Sequence, residues 1–142
     1  MDIKIVLEEN AIMPSYANEG DAGMDLFCIE DTIIKAHSYS NKVRTGIKVG
    51  LPDNTELQIR PKSGVSLNTT LRVVLGTVDS GYTGEVGIIV DNIGDEDIVI
   101  KRGKAIAQGV INVLPSVKLS LVDSLAETER GTGGFGSTGR GL

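Results

Sequence analysis

The sequence predicts a single all-β domain, a sandwich or a barrel, with one short helix. Many short segments either alternate apolar and polar side chains or run continuously through β-branched residues. Turn-forming residues separate these segments, and glycine accounts for 18 of 142 residues, which exceeds the average of about 7%. A chain of this length forms one domain with a sizeable core. Because aromatic residues make up only 4% of the chain, we expect that core to consist of Val, Ile and Leu.

The predicted strands are of two kinds. Alternation with period two, which is typical of a strand with one buried face, occurs at residues 3–7, 43–51, 55–59, 97–101 and 117–122. Continuous apolar runs, which are typical of more deeply buried strands, occur at residues 71–75, 86–90 and 106–113. A further strand carries Asp25, and the only predicted helix is short and begins near Ser63.

Charge and cysteine content exclude several classes of function. The formal net charge of −5 predicts no direct nucleic-acid binding, which needs a basic face, but allows a small polyphosphate ligand with a divalent metal. The single cysteine, Cys28, excludes an internal disulfide and a multi-cysteine zinc site. No N-terminal run resembles a signal peptide, and no stretch is long enough to span a bilayer. We therefore expect a soluble protein of the cytoplasm or another intracellular compartment, without membrane contact.

The last thirteen residues, 130–142, form a glycine-rich arm with little side-chain volume for a core. Arg130, Phe135, Ser137 and Thr138 are spaced along it. A cation, an aromatic ring, hydroxyls and exposed glycine amides are the groups needed to close over an anionic ligand that carries a base. A flexible low-complexity tail is the alternative interpretation.

Two internal segments also contain candidate site residues. Residues 76–86 are predicted to form a β-hairpin that carries Asp79 and Tyr82, although aspartate is common in ordinary turns. Residues 60–64 lead into the helix with a cation, a hydroxyl and a glycine, which is the composition of an anion site, although Ser63 as a plain N-cap explains the pattern as well.

Asp25 and Gln108 are candidates that depend on their surroundings. A lone aspartate on a strand is a metal-site candidate only when phosphates lie nearby, because Mg²⁺ takes few protein ligands and keeps its waters. Gln108 lies within an apolar run and needs a polar partner if its side chain points inward.

Taken together and in order, these segments resemble the five motifs of the trimeric dUTPase family, the dUTP nucleotidohydrolases. The first three motifs correspond to residues 22–26 (Ala-Gly-Met-Asp-Leu), 61–65 (Pro-Lys-Ser-Gly-Val) and 76–86 (Gly-Thr-Val-Asp-Ser-Gly-Tyr-Thr-Gly-Glu-Val). The last two correspond to residues 102–108 (Arg-Gly-Lys-Ala-Ile-Ala-Gln) and to the glycine-rich residues 130–139. The resemblance covers essentially the whole chain.

The resemblance implies a jelly-roll-like β barrel over residues 1–129, a mobile arm over residues 130–142, and a homotrimer whose sites are shared between subunits. It implies hydrolysis of dUTP to dUMP and pyrophosphate, which supplies dUMP for dTMP synthesis and keeps uracil out of DNA. Asp79 would activate the water that attacks the α-phosphorus. Mg²⁺ would assist on the triphosphate, with Asp25 reaching the metal through its waters.

The resemblance also implies the residues that bind the substrate. The backbone of the segment with Val73, Gly76, Thr77 and Val78 would bind uracil, and Tyr82 would pack against the deoxyribose and exclude a 2′-hydroxyl. Lys62, Ser63, Gly64 and Gln108 would hold the phosphates. In the arm, Phe135 would stack on uracil, and Arg130, Ser137 and Thr138, with the neighbouring Gly136, would close over the γ end.

Two departures from the family pattern bear on affinity. Lys62 stands where the family often has arginine, which replaces a bidentate phosphate clamp by a point charge. Ala105 stands where arginine is common in the fourth motif.

Two other functions are weighed against hydrolysis of dUTP. A dCTP deaminase of the same fold needs a further carboxylate at the exocyclic amine of the base, and the sequence lacks that signature. A nucleotide-gated binding protein would not need Asp79, Phe135 and Arg130 together.

Overall fold

The computed structural model describes all 142 residues and contains ten strands and one helix. The strands are β1 (Lys4–Leu7), β2 (Met24–Phe27), β3 (Thr32–Ile34), β4 (Ser38–Gly50), β5 (Thr55–Pro61), β6 (Leu71–Val73), β7 (Gly76–Asp79), β8 (Glu85–Asn92), β9 (Ile98–Ile100) and β10 (Ala105–Val113). The helix α1 (Ser63–Asn68) lies between β5 and β6. The predicted all-β fold with one short helix is confirmed.

The strands form two four-stranded antiparallel sheets and a two-stranded ribbon. The sheet orders are β1-β4-β8-β6 and β2-β10-β5-β7, and β3 pairs with β9. The two large sheets share one apolar core, to which β4 and β8 contribute Val43 and Ile88, and β2 and β5 contribute Leu26 and Leu57. Because the hydrogen-bonded ladders stay separate, the jelly-roll-like barrel is open.

The core follows from the period of the sequence. Along β8, buried residues alternate strictly with half-buried ones, as expected for a strand whose inner face packs on the opposite sheet. Cys28 is one of the fully buried side chains, consistent with a small core residue. The structure has no helix with the length and apolar character that crossing a membrane requires.

The segment 76–86 is not a hairpin, and that prediction is wrong. β7 pairs with β5, with Asp79 opposite Glu56, whereas β8 pairs with β4 and β6 in the other sheet. The residues between β7 and β8 therefore form an arch that carries the chain from one sheet to the other. A turn between two apolar strands has the same local sequence in a hairpin and in an arch, so the pattern could not distinguish them.

The predicted strand at residues 117–122 is also absent. The last strand ends at Val113, and the amide of Leu114 donates the last hydrogen bond that ties the tail to the barrel, to the carbonyl of Asn54 at 2.7 Å. All hydrogen bonds further along the chain join residues of the tail to one another. Leu119 and Leu121 are 91% and 103% exposed, so the alternating pattern has no sheet edge to pair with in this chain.

Candidate functional site

Asp25, Lys62 and Gln108 come together at one end of the β2-β10-β5 sheet. Gln108 on β10 is in register with Asp25 on β2 on one side and with Arg60 on β5 on the other. Lys62 follows β5, and its ammonium group donates a hydrogen bond to the half-buried carboxylate of Asp25. We call Asp25, Lys62, Ser63, Gly64 and Gln108 the phosphate cluster; its remaining members, Ser63 and Gly64, are exposed at the start of α1.

Gly23 and Pro61 determine where the Gln108 side chain lies. The Nε2 group of Gln108 donates to the carbonyl of Pro61 at 3.0 Å, which supplies the polar partner that the sequence analysis required. A Cβ atom at Gly23 would overlap Oε1 of Gln108 and would lie only 2.9 Å from the Cβ atom of Gln108. Only glycine at position 23 therefore leaves room for this side chain.

Ser63 does not act as the N-cap of α1. The cap residue is Lys62, with φ −96° and ψ 132° and no capping hydrogen bond from its side chain. Ser63 is instead the first helical residue, and its side chain is exposed. The interpretation of Ser63 as a plain N-cap is therefore wrong, and its hydroxyl is left available to a ligand.

The arch between β7 and β8 presents Asp79 and Tyr82. Asp79 is exposed at the end of β7, and its carboxylate accepts no hydrogen bond from the chain, while its carbonyl accepts one from the amide of Tyr82 at 3.1 Å. The Tyr82 hydroxyl donates to the carbonyl of Glu85 at 2.8 Å. A Cβ atom at Gly84 would lie 2.5 Å from that hydroxyl, so the ring folds closely over glycine. Tyr82 nevertheless stays 47% exposed, which leaves one side of the ring for a ligand.

The residues before the arch differ in side-chain exposure, and Val74 and Leu75 are 42% and 62% exposed. The side chains of Val73 and Val78 are buried in the core. Gly76 begins β7 opposite Ile59, and only Thr77 in this strand exposes a side chain besides Asp79. The contact of main-chain groups of residues 73–79 with the base stays a prediction.

The phosphate cluster and the arch do not meet within one chain. Asp25 is aligned with Arg60 of β5, whereas Asp79 is aligned with Glu56, four positions away on the same strand. The two aspartates also lie three strands apart in the order β2-β10-β5-β7. With about 3.3 Å per residue and about 4.8 Å per strand, their separation is on the order of 20 Å.

The arm residues form a third group. Arg130 donates from Nε to the carbonyl of Gly133 at 2.8 Å, and successive turns curl residues 130–139 upon themselves. Phe135 is fully exposed and adopts a positive φ of 52°. Gly136, Ser137 and Thr138 line the same small hollow as Arg130, and none of these residues contacts the arch or the phosphate cluster by a hydrogen bond.

An ion-pair network that the sequence analysis missed lies behind the arch. The Arg44 guanidinium on β4 donates from Nη2 to Glu85 at 2.7 Å and to Glu8 at 2.5 Å, and from Nε to both oxygens of Glu85 at 3.2 Å. The hydrogen bonds from Arg44 lower the pKa of the Glu85 carboxyl below its ordinary value. No sequence signal connects residues 41 positions apart, so only the β4-β8 pairing reveals the contact.

No group of three or more His, Cys, Asp and Glu side chains is placed to hold a metal ion. Asp25 offers a single carboxylate. That number suits Mg²⁺, which binds through one or two carboxylates and takes its remaining ligands from water and phosphate oxygens.

The family model described as dUTPase matches residues 9–139, which include the phosphate cluster, the arch and most of the arm. The chain belongs to the dUTPase family. It is 47% identical over 137 residues to the deoxyuridine 5′-triphosphate nucleotidohydrolase of Clostridium tetani, an alignment that covers 95% of this chain and 94% of that protein.

Solved structures of dUTPases share the fold. The dUTPase of Staphylococcus bacteriophage 80alpha, solved with dUPNHPP, superposes with a TM-score of 0.90 at 27% identity and covers 96% of this chain and 97% of its own. A D95N mutant dUTPase from phage phi11 of S. aureus superposes with a TM-score of 0.82 at 25% identity, over 87% of this chain and 98% of its own. The structure of that phage protein describes the coordination of a structural Mg(II) ion.

Proposed function

We propose that this dUTPase-family chain is a dUTP diphosphatase that hydrolyses dUTP to dUMP and pyrophosphate. The observation that carries the proposal is the Asp79 carboxylate, which is exposed and unpartnered at the end of β7. Beside it lies Tyr82, whose hydroxyl donates to the carbonyl of Glu85 and whose main-chain amide donates to the carbonyl of Asp79. The main chain of β7, the free carboxylate and the ring whose hydroxyl is anchored together suit the binding of a nucleoside whose phosphate is attacked by water.

Asp79 orients the attacking water and takes its proton. The water oxygen forms a bond to the α-phosphorus, and the bond from that phosphorus to the bridging oxygen breaks, so that pyrophosphate leaves. A carboxylate is a weak base in water, and its effect therefore depends on holding the water in line and on closing the site. The arm supplies that closure, with Phe135 over the uracil and with Arg130, Ser137 and Thr138 at the γ end.

Substrate selection depends on the arch and on the strand that precedes it. The main chain of residues 73–79 hydrogen-bonds uracil, and the Tyr82 ring occupies the space that a 2′-hydroxyl would need. A site built to hydrogen-bond its ligand rejects analogues that lack the matching groups by roughly 10⁴–10⁵. The ammonium group of Lys62, the Ser63 hydroxyl, Gly64 and the Gln108 amide hold the phosphates.

Mg²⁺ fits the phosphate cluster through Asp25. When bound, the metal would draw charge from the phosphate oxygens and hold the triphosphate ready for attack. Asp25 would reach it through water, and Lys62, which bonds to the same carboxylate in the free protein, would turn to the phosphates.

We further propose that the site is completed in a homotrimer. The number three follows from the family resemblance, and two observations support completion by another copy: the phosphate cluster and the arch lie on the order of 20 Å apart in one chain, and the alternating apolar side chains after Leu114 have no partner strand. Residues 114–130 extend at most about 60 Å, which is enough to reach a neighbouring copy. A strand that buries Val117, Leu119 and Leu121 on a second copy would deliver that tail's arm to the neighbour's site.

The direct test is pyrophosphate release from dUTP, UTP, dCTP and dTTP, with and without Mg²⁺. We expect release from dUTP alone and a strong loss when Mg²⁺ is removed. Ammonia release from dCTP would support the deaminase instead, and tight dUTP binding without turnover would support a nucleotide-gated binding protein.

A further inference from the structure

Glu85 is used twice at the base of the arch. Its main-chain carbonyl accepts the hydrogen bond from the Tyr82 hydroxyl at 2.8 Å, and its carboxylate is held by Arg44 from the neighbouring strand. The position of the Tyr82 ring therefore depends on the position of Glu85. The position of Glu85 depends in turn on Arg44.

The Arg44–Glu85 pair has the geometry of a clamp rather than of an incidental surface contact. Nε and Nη2 of Arg44 both donate to Glu85, and the Glu85 side chain is only 20% exposed. Arg44 is itself held by Glu8, and Glu30 lies 3.9 Å from Nη1. Bidentate arginine–carboxylate pairs within networks are the surface ion pairs that fix geometry.

The irregular pairing of β4 and β8 next to Glu85 explains what this side-chain pair stabilises. Glu85 begins β8, and the register between β4 and β8 shifts between Arg44 and Lys48, next to the point where Glu85 is paired. Regular ladder bonds are therefore interrupted where the arch joins the sheet. The side-chain pair holds the two strands together at this interruption, and the Tyr82 ring lies over Gly84 directly before it.

We propose that Arg44 is a positioning residue for sugar selectivity: through Glu85 it immobilises the Tyr82 ring that excludes the 2′-hydroxyl. This inference rests on the proposed function of the arch. A ring that can turn aside leaves room for a ribose, so steric rejection of UTP requires a rigid ring and not merely the presence of one.

The first experiment measures the ring without any substrate. The chain has three tyrosines and no tryptophan, and Tyr16 and Tyr39 are exposed, so a Tyr16→Phe/Tyr39→Phe background has Tyr82 as its only such fluorophore. In that background, Arg44→Met and Glu85→Gln should lower the fluorescence anisotropy of Tyr82 toward that of the unfolded chain. Arg102→Met is the matched control, because Arg102 is an exposed arginine that lines the same hollow as Arg44, Glu8 and Glu30 but does not contact Glu85.

The second experiment measures the ratio of kcat/KM for dUTP to that for UTP. Arg44→Met and Glu85→Gln should each lower the ratio by about tenfold, with Tyr82→Ala as the upper limit of the loss. The double variant should be no worse than the worse single one, because both act on one clamp. Arg44→Lys should restore part of the ratio, since it keeps the charge and loses the fork.

The outcomes separate this inference from the proposed function. If the parent protein does not hydrolyse dUTP, the proposed function fails, while the anisotropy still decides whether Arg44 holds the ring. Equal anisotropy in Arg44→Met and Arg102→Met would overturn the positioning role. A lowered anisotropy with an unchanged dUTP/UTP ratio would overturn the link to selectivity. Should Arg44→Met not fold, the near-isosteric Glu85→Gln gives the same two readouts.

Discussion

The barrel and the tail of this chain differ in what determines their conformation. Residues 1–113 contain every buried side chain, including all 18 members of the core cluster, whereas residues 114–142 contain none and are tied to the barrel by one hydrogen bond at Leu114. The core side chains of the barrel therefore pack against residues of the same chain. The tail has an alternating apolar pattern and the proposed ligand-binding residues of the arm, and neither set packs against the barrel of the same chain.

The largest effect is expected in the barrel, at the proposed base. Asp79→Asn should lower kcat by a factor of about 10²–10⁴ with little change in dUTP affinity, because the amide cannot accept the proton of the attacking water. Steady-state pyrophosphate release and dUTP titration measure the two quantities. Asp95→Asn, at an exposed position beyond the end of β8 that is opposite to the arch, is the control and should be neutral. Near-normal turnover of Asp79→Asn would remove the proposed base.

The next effect separates the arm from the barrel. Deleting residues 130–142 should lower kcat/KM for dUTP by about a hundredfold, since stacking on Phe135 and charged hydrogen bonds from Arg130 are each worth about 1–3 kcal/mol. The melting temperature should stay unchanged, because no core residue is removed. Deleting only residues 141–142 is the control. A fully active truncated chain would contradict the role of the arm in activity, and an unfolded one would contradict the independence of the barrel from the arm.

Matched apolar truncations in the two regions should differ in kind. Ile88→Ala should lower the free energy of unfolding by about 2–5 kcal/mol at every protein concentration, because it leaves a cavity in the core. Leu119→Ala should act only through assembly, so its effect should vary with protein concentration. Chemical denaturation at several concentrations measures both. If Leu119→Ala lowered the free energy of unfolding equally at every protein concentration, the tail would pack on the barrel of its own chain.

The smallest effect concerns acid stability. Hydrogen bonds from Arg44 lower the pKa of Glu85 from its ordinary value of 4.5. This contribution is therefore present above that pH and is lost as the pH falls through the lowered value. Glu85→Gln should remove at most about 1 kcal/mol at neutral pH and flatten the loss of stability in acid. Glu127→Gln, the same change in the exposed tail, should alter neither the stability at neutral pH nor its loss in acid. Equal effects of Glu85→Gln and Glu127→Gln would contradict a stabilising role of the Arg44–Glu85 pair.

Much of the barrel could be predicted from the sequence because its strands bury one face. Residues 43–50, 55–59 and 106–113 fall within observed strands, the predicted strand 43–51 passes the end of β4 by one residue, and the helix begins at Ser63 as expected. β3, at Thr32–Ile34, is too short to give a periodic signal. The period of the apolar residues shows which face of a strand is buried, but it does not show which strand it pairs with. For this reason the sequence predicts a hairpin at residues 76–86, where the structure has an arch.

The candidate site shows the same limit. Motif resemblance named Asp25, Lys62, Asp79 and Tyr82 as site residues, and the structure shows which of them are neighbours. Composition could not predict the Lys62–Asp25 pair or the Arg44–Glu85 clamp, because each joins residues that only strand pairing brings together. Residues 117–122 carry a genuine strand pattern, and the single chain contains no edge that satisfies it.

Subunit complementation tests most directly whether a site is shared between copies. Asp79→Asn chains and chains lacking residues 130–142 are each nearly inactive, and they are mixed in equal amounts, unfolded and refolded together. If each site takes Asp79 from one copy and the arm from another, about a quarter of the sites are intact in a random mixture, and activity returns to about that fraction. Activity no higher than the mean of the two separate variants would show that each chain closes its own arm over its own Asp79, contrary to the shared site.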